Sequence, residues 1–145
     1  MTRSREKLAQ IRAALKQKSI YAYIIPLADP QQQEYIPDYW NIVCWLTGFT
    51  GSSATLVITD SFAGLWTDSR YFIQAEKELA GSGFDTMKPS SLRSADFIEW
   101  LYEEMPLNST IAFDGRIISV SLYRKLHKRL NTKNICLLYT SPSPR

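Results

Sequence analysis

Residues 53–67, SATLVITDSFAGLWT, decide the fold of this chain. Ser53–Thr59 and Phe62–Thr67 are short runs rich in β-branched and aromatic residues, which favour strands. The Asp60-Ser61 pair between them is typical of a tight turn, and two strands joined so closely pair antiparallel. The segment therefore predicts a β-hairpin, and with it a sheet that contains an antiparallel pair.

Helical and strand-like patterns alternate on both sides of this hairpin. The predicted helices are an opening helix from Ser4 to about Lys18, one capped by Asp68 and ending at Gly81, one capped by Ser94 and stopped by Pro106, and one capped by Ser119. The other predicted strands are Ile20–Ile25, Phe84–Met87, Thr110–Phe113 and Asn134–Leu138. Six strands and four helices in this order predict an α/β domain, a mixed six-stranded sheet with flanking helices.

The segment Leu27–Gly51 shows no sustained period, and a short helix around Trp40–Leu46 would shorten the irregular stretch. Within it, Asp38–Thr50 (DYWNIVCWLTGFT) is dense in aromatic residues and contains Gly48. Aromatic side chains dominate burial and interface energetics, and glycine lets backbones approach closely. Two interpretations stay open: the segment contacts a partner or lines a pocket, or it is an irregular part of the core.

Composition excludes several classes of protein. The net charge of +3 is too small to indicate a nucleic-acid partner. Cys44 and Cys136 belong to no metal-ligand spacing, the charged start resembles no secretory signal, and no apolar run reaches the roughly 20 residues that span a bilayer. We therefore expect a cytoplasmic protein that binds neither nucleic acid nor membrane.

No dinucleotide, P-loop, zinc-protease or serine-hydrolase signature occurs. The single histidine, His127, lies in a basic helix and is expected at the surface. A magnesium nuclease built from scattered carboxylates is a minor alternative, since each of them fits a plainer role, as Asp114 does at a strand end. A basic stripe on the last helix is expected to be a solvated face: Arg124, Lys125, Lys128, Arg129 and Lys133.

Arg70 is the one candidate site residue. It follows the capping Asp68 by two positions, which places it in the first turn of a helix. The helix dipole opposes a cation there, so a specific anionic or carbonyl partner would explain the arginine. An ordinary salt bridge would explain it too.

Three stretches, in this order and spacing, resemble the N-terminal, creatinase-type domain of Xaa-Pro aminopeptidases (aminopeptidase P). They are residues 22–40 (AYIIPLADPQQQEYIPDYW), 45–52 (WLTGFTGS) and 65–75 (LWTDSRYFIQA), followed by Phe113-Asp114 and Ile118-Ser119. The resemblance implies a mixed six-stranded sheet with ribonuclease H-like topology over residues 1–138. Two positions depart from the family pattern, Gln31 in place of histidine and Ser69 in place of glycine.

The resemblance also implies a function. In that family a separate "pita-bread" domain holds two metal ions, usually manganese, and cleaves Xaa-Pro peptides, and we expect that domain to be absent here, leaving this part without a cofactor. Arg70 matches the arginine that reaches the substrate-binding region, often across a homodimer. Residues 139–145 do not continue the pattern, and we expect a disordered tail. The expected function is a non-catalytic domain that helps dimerise the enzyme and bind its proline-containing peptide. The alternative is a stand-alone binding module with the same fold.

Overall fold

The computed structural model describes residues 2–27, 41–51, 54–67, 69–87 and 97–140. These residues form five α-helices: α1 (Thr2–Gln17), α2 (Ile42–Thr47), α3 (Phe72–Glu78), α4 (Phe97–Glu104) and α5 (Val120–Leu130). They also form six strands: β1 (Ala22–Pro26), β2 (Thr55–Thr59), β3 (Ala63–Trp66), β4 (Asp85–Met87), β5 (Thr110–Asp114) and β6 (Cys136–Thr140). Short 3₁₀ turns at Ser69–Tyr71 and Asn131–Lys133 precede α3 and follow α5.

The six strands form one sheet in the order β4-β3-β2-β1-β5-β6. β2 pairs antiparallel with both β1 and β3, whereas the β3–β4, β1–β5 and β5–β6 pairs are parallel. The predicted hairpin is therefore β2–β3, closed by a hydrogen bond of 2.8 Å from the Thr59 N–H to the Phe62 carbonyl. The mixed six-stranded α/β fold is confirmed.

The two faces of the sheet carry separate hydrophobic clusters, because side chains alternate along each strand. On one face, α1, α2 and α3 pack on strand residues such as Leu56 and Ile58. On the other face, α4 and α5 pack on Val57 and on the buried Phe113 of β5. The domain is thus a three-layer α/β structure, with the sheet between two layers of helices.

Several predicted boundaries shift. The first strand begins at Ala22 rather than Ile20, and it includes Pro26, which pairs with Thr55. The last strand covers Cys136–Thr140, so Tyr139 and Thr140 pair with β5 beyond the predicted end at Leu138. Strand pairing overrides the local turn signals that set the predicted ends. Some predictions lie outside the described residues. They concern the caps at Asp68 and Ser94, the position of Gln31 and the tail from residue 141 onward.

The cap at Ser119 is confirmed. Its hydroxyl accepts a hydrogen bond of 3.0 Å from the Leu122 N–H, which satisfies one of the free donors in the first turn of α5. The apolar side of this helix points inward as predicted, with Leu126 and Leu130 fully buried. Among the described residues, no helix has both the length and the apolar character to cross a membrane.

Candidate functional site

Arg70 lies at the edge of the sheet where its parallel strands end. It is exposed, in the 3₁₀ turn that follows β3 and precedes α3. The sequence predicted that Arg70 lies in the first turn of a helix, and the structure makes that turn 3₁₀, continuing directly into α3 at Phe72. Its guanidinium lies 5.2 Å from the ring centroid of Tyr71. The carboxyl edge of an open α/β sheet is the usual place for ligands, so the position itself favours a site.

The aromatic and glycine segment reaches the same edge, because it leads into β2, whose first residue Thr55 pairs with the last residue of β1. Its helix α2 is capped by Asn41, whose side chain accepts a hydrogen bond from the Cys44 N–H. The helix ends at Gly48, which adopts the left-handed conformation with φ of 85°. Glycine takes that conformation without the strain a side chain would bring, so the chain can turn sharply here.

A carboxylate on α3 holds the turn after α2 in place. The Thr50 N–H and hydroxyl each donate a hydrogen bond of 2.8 Å to Glu78, one to each carboxylate oxygen. The Gln74 amide donates to the Thr50 hydroxyl at 2.9 Å and to Glu78 at 3.3 Å. Hydrogen bonds to a charged acceptor are the stronger kind, so this cluster fixes the turn against the helix that follows Arg70.

An aromatic contact completes the connection. Phe49 is 1% exposed, and its ring meets the Tyr71 ring edge to face, with centroids 6.0 Å apart. Tyr71 is the neighbour of Arg70, so the structure brings together the two segments that the sequence singled out. Such pairs add about 0.5–1.5 kcal/mol beyond area burial.

Of the two interpretations of Asp38–Thr50, core packing accounts for most of the described part. Ile42, Val43, Leu46 and Phe49 are all buried. Trp45 differs, with 37% of its surface exposed. Lys7 of α1 lies 4.2 Å from its ring centroid and donates a hydrogen bond of 2.7 Å to its carbonyl.

Asp114 ends β5 at the same edge and is only 2% exposed. Its carboxylate accepts three hydrogen bonds from Arg116, from the backbone N–H, Nε and Nη2, at 2.8–3.1 Å. These bonds close the turn after β5. The geometry therefore agrees with the structural role at a strand end that the sequence predicted for Asp114.

The basic stripe on α5 is only partly a solvated face. Arg124, Lys125 and Lys128 are exposed as expected, but Arg129 forms two hydrogen bonds to Glu99 of α4 and lies 3.6 Å from the Tyr102 ring centroid. The hydrogen bonds to Glu99 raise the pKa of Arg129 above its ordinary value. His127 is exposed, as expected, and stacks on Tyr123.

Comparison with known proteins assigns the chain to a family. Residues 7–138 match the model of the creatinase/prolidase N-terminal domain. The chain belongs to that family. The creatinase-type domain is 36% identical over 139 residues to Xaa-Pro aminopeptidase app-1 of Caenorhabditis elegans, covering 90% of this chain and 23% of that protein. It is 35% identical to aminopeptidase P2 of Arabidopsis thaliana, covering 92% of this chain and 19% of that one. The chain therefore spans about a fifth of the length of these relatives.

Solved structures agree with this membership. The X-prolyl aminopeptidase of C. elegans, described as a cytosolic enzyme with a di-nuclear active site, superposes with a TM-score of 0.87 at 33% identity, over 97% of this chain and 24% of that one. An N-terminal, creatinase/prolidase-like domain from Corynebacterium diphtheriae gives a TM-score of 0.70 at 21% identity, over 97% of this chain and 98% of that one. The second match, at that identity, supports the fold alone.

A di-nuclear centre needs several clustered ligands. Within the described ranges of the creatinase-type domain, no three His, Cys, Asp or Glu side chains come together as a metal-binding group. The described residues thus do not fit such a centre, and we assign no metal to them.

The sequence did not indicate that Glu78 and Gln74 would hold Thr50, the last residue of the aromatic segment. Glu78 and Gln74 stand four residues apart on one helix, a spacing that brings side chains together. Their contact with Thr50 joins residues 24 to 28 positions apart, and no periodic pattern reports such a contact.

Proposed function

We propose that this domain works in a metal-dependent Xaa-Pro aminopeptidase as its non-catalytic N-terminal domain. In this proposal it helps form the homodimer and contributes Arg70 to the binding of a proline-containing peptide. Two metal ions, manganese in our proposal, belong to a separate catalytic domain. The enzyme acts in the cytosol, and neither nucleic acid nor membrane is a partner.

One observation carries the proposal: the Phe49–Tyr71 contact fastens the segment after α2 to the turn that holds Arg70. Arg70 itself stays exposed at the carboxyl edge of the sheet. A guanidinium presents several N–H donors in a rigid plane, which suits a peptide carbonyl or a terminal carboxylate. The Phe49–Tyr71 contact fixes the backbone next to Arg70, and a fixed backbone lets the long Arg70 side chain position a bound substrate.

The proposal is tested in a chimera in which this chain replaces the matching domain of the C. elegans enzyme. We expect the chimera to cleave an Xaa-Pro peptide and to be a dimer by light scattering. Arg70→Ala should lower kcat/KM by roughly 10- to 100-fold, since a hydrogen bond to a charged group contributes about 1.5–3 kcal/mol. The melting temperature should stay the same, because the side chain is exposed.

Arg124→Ala is the matched control, an exposed arginine on the opposite face of the sheet, and it should leave kcat/KM unchanged. Equal activity of the Arg70→Ala and Arg124→Ala chimeras would count against a substrate role for Arg70. A folded but inactive chimera would contradict the assignment of this domain to such an enzyme. The 145-residue chain alone, supplied with Mn²⁺, should release no N-terminal residue, and measurable turnover would contradict the non-catalytic role.

A further inference from the structure

A groove of about 670 Å³ runs along one side of α1, away from the site described above. Asp60, in the turn of the β2–β3 hairpin, and Gly83, just before β4, line its other wall. Both residues lie at the edge where the parallel strands begin, whereas Arg70 follows β3 at the opposite edge. The groove therefore needs an explanation independent of the proposed peptidase function.

Three apolar residues of the helix line the groove: the buried Leu8 and the smaller Ala9 and Ala13. Gly83 keeps the groove open beside them. A Cβ at Gly83 would lie 3.2 Å from Leu8 Cδ2, and its φ of +92° is one that other residues adopt only with strain. The short side chains of Ala9 and Ala13 and the bare Gly83 leave space for the backbone of a bound chain.

Three cations line the groove, Arg5, Arg12 and Lys16, and Asp60 is the acidic residue among its lining. Arg5 Nε donates to the Gly81 carbonyl at 3.0 Å, and Arg12 Nε donates to the Thr59 carbonyl at 2.8 Å. These bonds hold both guanidinium groups in place through Nε, and each guanidinium carries further N–H donors on its Nη atoms. Within the described parts of the chain, neither guanidinium forms an ion pair with a carboxylate.

The spacing of the cations indicates the shape of the ligand. Arg5, Arg12 and Lys16 are separated by seven and then four helical residues, which correspond to about 10 and 6 Å along the axis. A single phosphate cannot span such distances. An extended peptide, at about 3.3 Å per residue, presents every second side chain on one face, so acidic side chains at positions i, i+4 and i+6 face the helix together and match the span of the three cations to within about 3 Å. None of the described lining residues is aromatic, so the groove offers no surface on which bases of a single-stranded nucleic acid could stack.

We propose that this groove binds an extended acidic segment of a partner protein, with Arg5, Arg12 and Lys16 each pairing with one carboxylate. The peptide backbone lies over the small residues of α1. Complementary charge carries the recognition, so the binding weakens as salt concentration rises.

The test uses the 145-residue chain and a fluorescein-labelled peptide, Ser-Glu-Ser-Gly-Ser-Glu-Ser-Glu, with fluorescence anisotropy at low and high salt. Lys16→Glu is the main variant, because no backbone contact of Lys16 would be lost, and it should raise Kd by about fivefold at low salt. Asp60→Asn should lower Kd. Lys125→Glu, the same charge change at an exposed position of α5 on the other face of the sheet, should leave Kd unchanged.

A second peptide with its three glutamates adjacent has the same charge but the wrong spacing, and it should bind more weakly. Three results would overturn the proposal. They are an equal rise in Kd for Lys16→Glu and Lys125→Glu, equal binding of the two peptides, and tighter binding of an eight-nucleotide oligothymidine than of the spaced peptide. None of these readouts depends on peptidase activity, so a failure here is distinct from a failure of the proposed function.

Discussion

Gly51 should not tolerate a side chain, because Phe49 occupies the space that a Cβ would need. A Cβ built at Gly51 lies 2.8 Å from Cε2 of the Phe49 ring and still closer to its Cζ, whereas real Cβ atoms essentially never come within 3.0 Å of such atoms. The ring is 1% exposed and lies against Tyr71, so it has little room to withdraw. Gly51→Ala therefore forces the ring out of its position.

The cost can be estimated from overpacking in other cores, about 1–3 kcal/mol. The entropy of unfolding scales with chain length, at about 2.1 cal/mol/K per residue, and 145 residues give roughly 0.3 kcal/mol/K. The melting temperature should accordingly fall by about 3–10 °C. Gly115→Ala is the control, since Gly115 is exposed and its φ is not positive, and it should melt within about 2 °C of the parent chain.

Differential scanning calorimetry on both variants measures these shifts, and a double-mutant cycle identifies the cause. Phe49→Leu removes the ring, so the combined Gly51→Ala/Phe49→Leu variant should lose less stability than the sum of the two single losses. Strict additivity would show that the ring is not what Gly51 accommodates. An unchanged melting temperature for Gly51→Ala alone would refute the steric argument outright.

Two further predictions concern charged contacts. Glu78→Ala should lower the free energy of unfolding by about 1–3 kcal/mol in urea denaturation, because the Thr50 N–H loses its charged acceptor. Glu104→Ala, at an exposed position, is the control, and an equal loss of stability in the two variants would contradict the prediction. The raised pKa of Arg129 implies stability that is fully present below the ordinary arginine pKa and lost only above it. The difference in melting temperature between the parent chain and Arg129→Gln should therefore be the same at about pH 7 and pH 10, and a difference that vanishes at the higher pH would refute this.

Much of the architecture follows from local patterns in the sequence. The hairpin at residues 53–67 is visible because two apolar runs flank a short turn, and the cap at Ser119 is visible because a hydroxyl precedes an amphipathic helix. Strand ends were less predictable. Tyr139 and Thr140 extend β6 because β5 offers hydrogen-bond partners beside them, and this pairing is invisible to a scan of neighbouring residues.

The opening hairpin and Arg70 show where sequence and structure divide. The sequence by itself determined that the sheet is mixed and that Arg70 stands where strand gives way to helix, because both depend on residues close together in the chain. Only the tertiary structure decided that Phe49 lies against Tyr71, that Glu78 holds Thr50, and that Arg5, Arg12 and Lys16 share a groove with Asp60. Those contacts join distant segments, and their geometry depends on how the helices pack against the sheet.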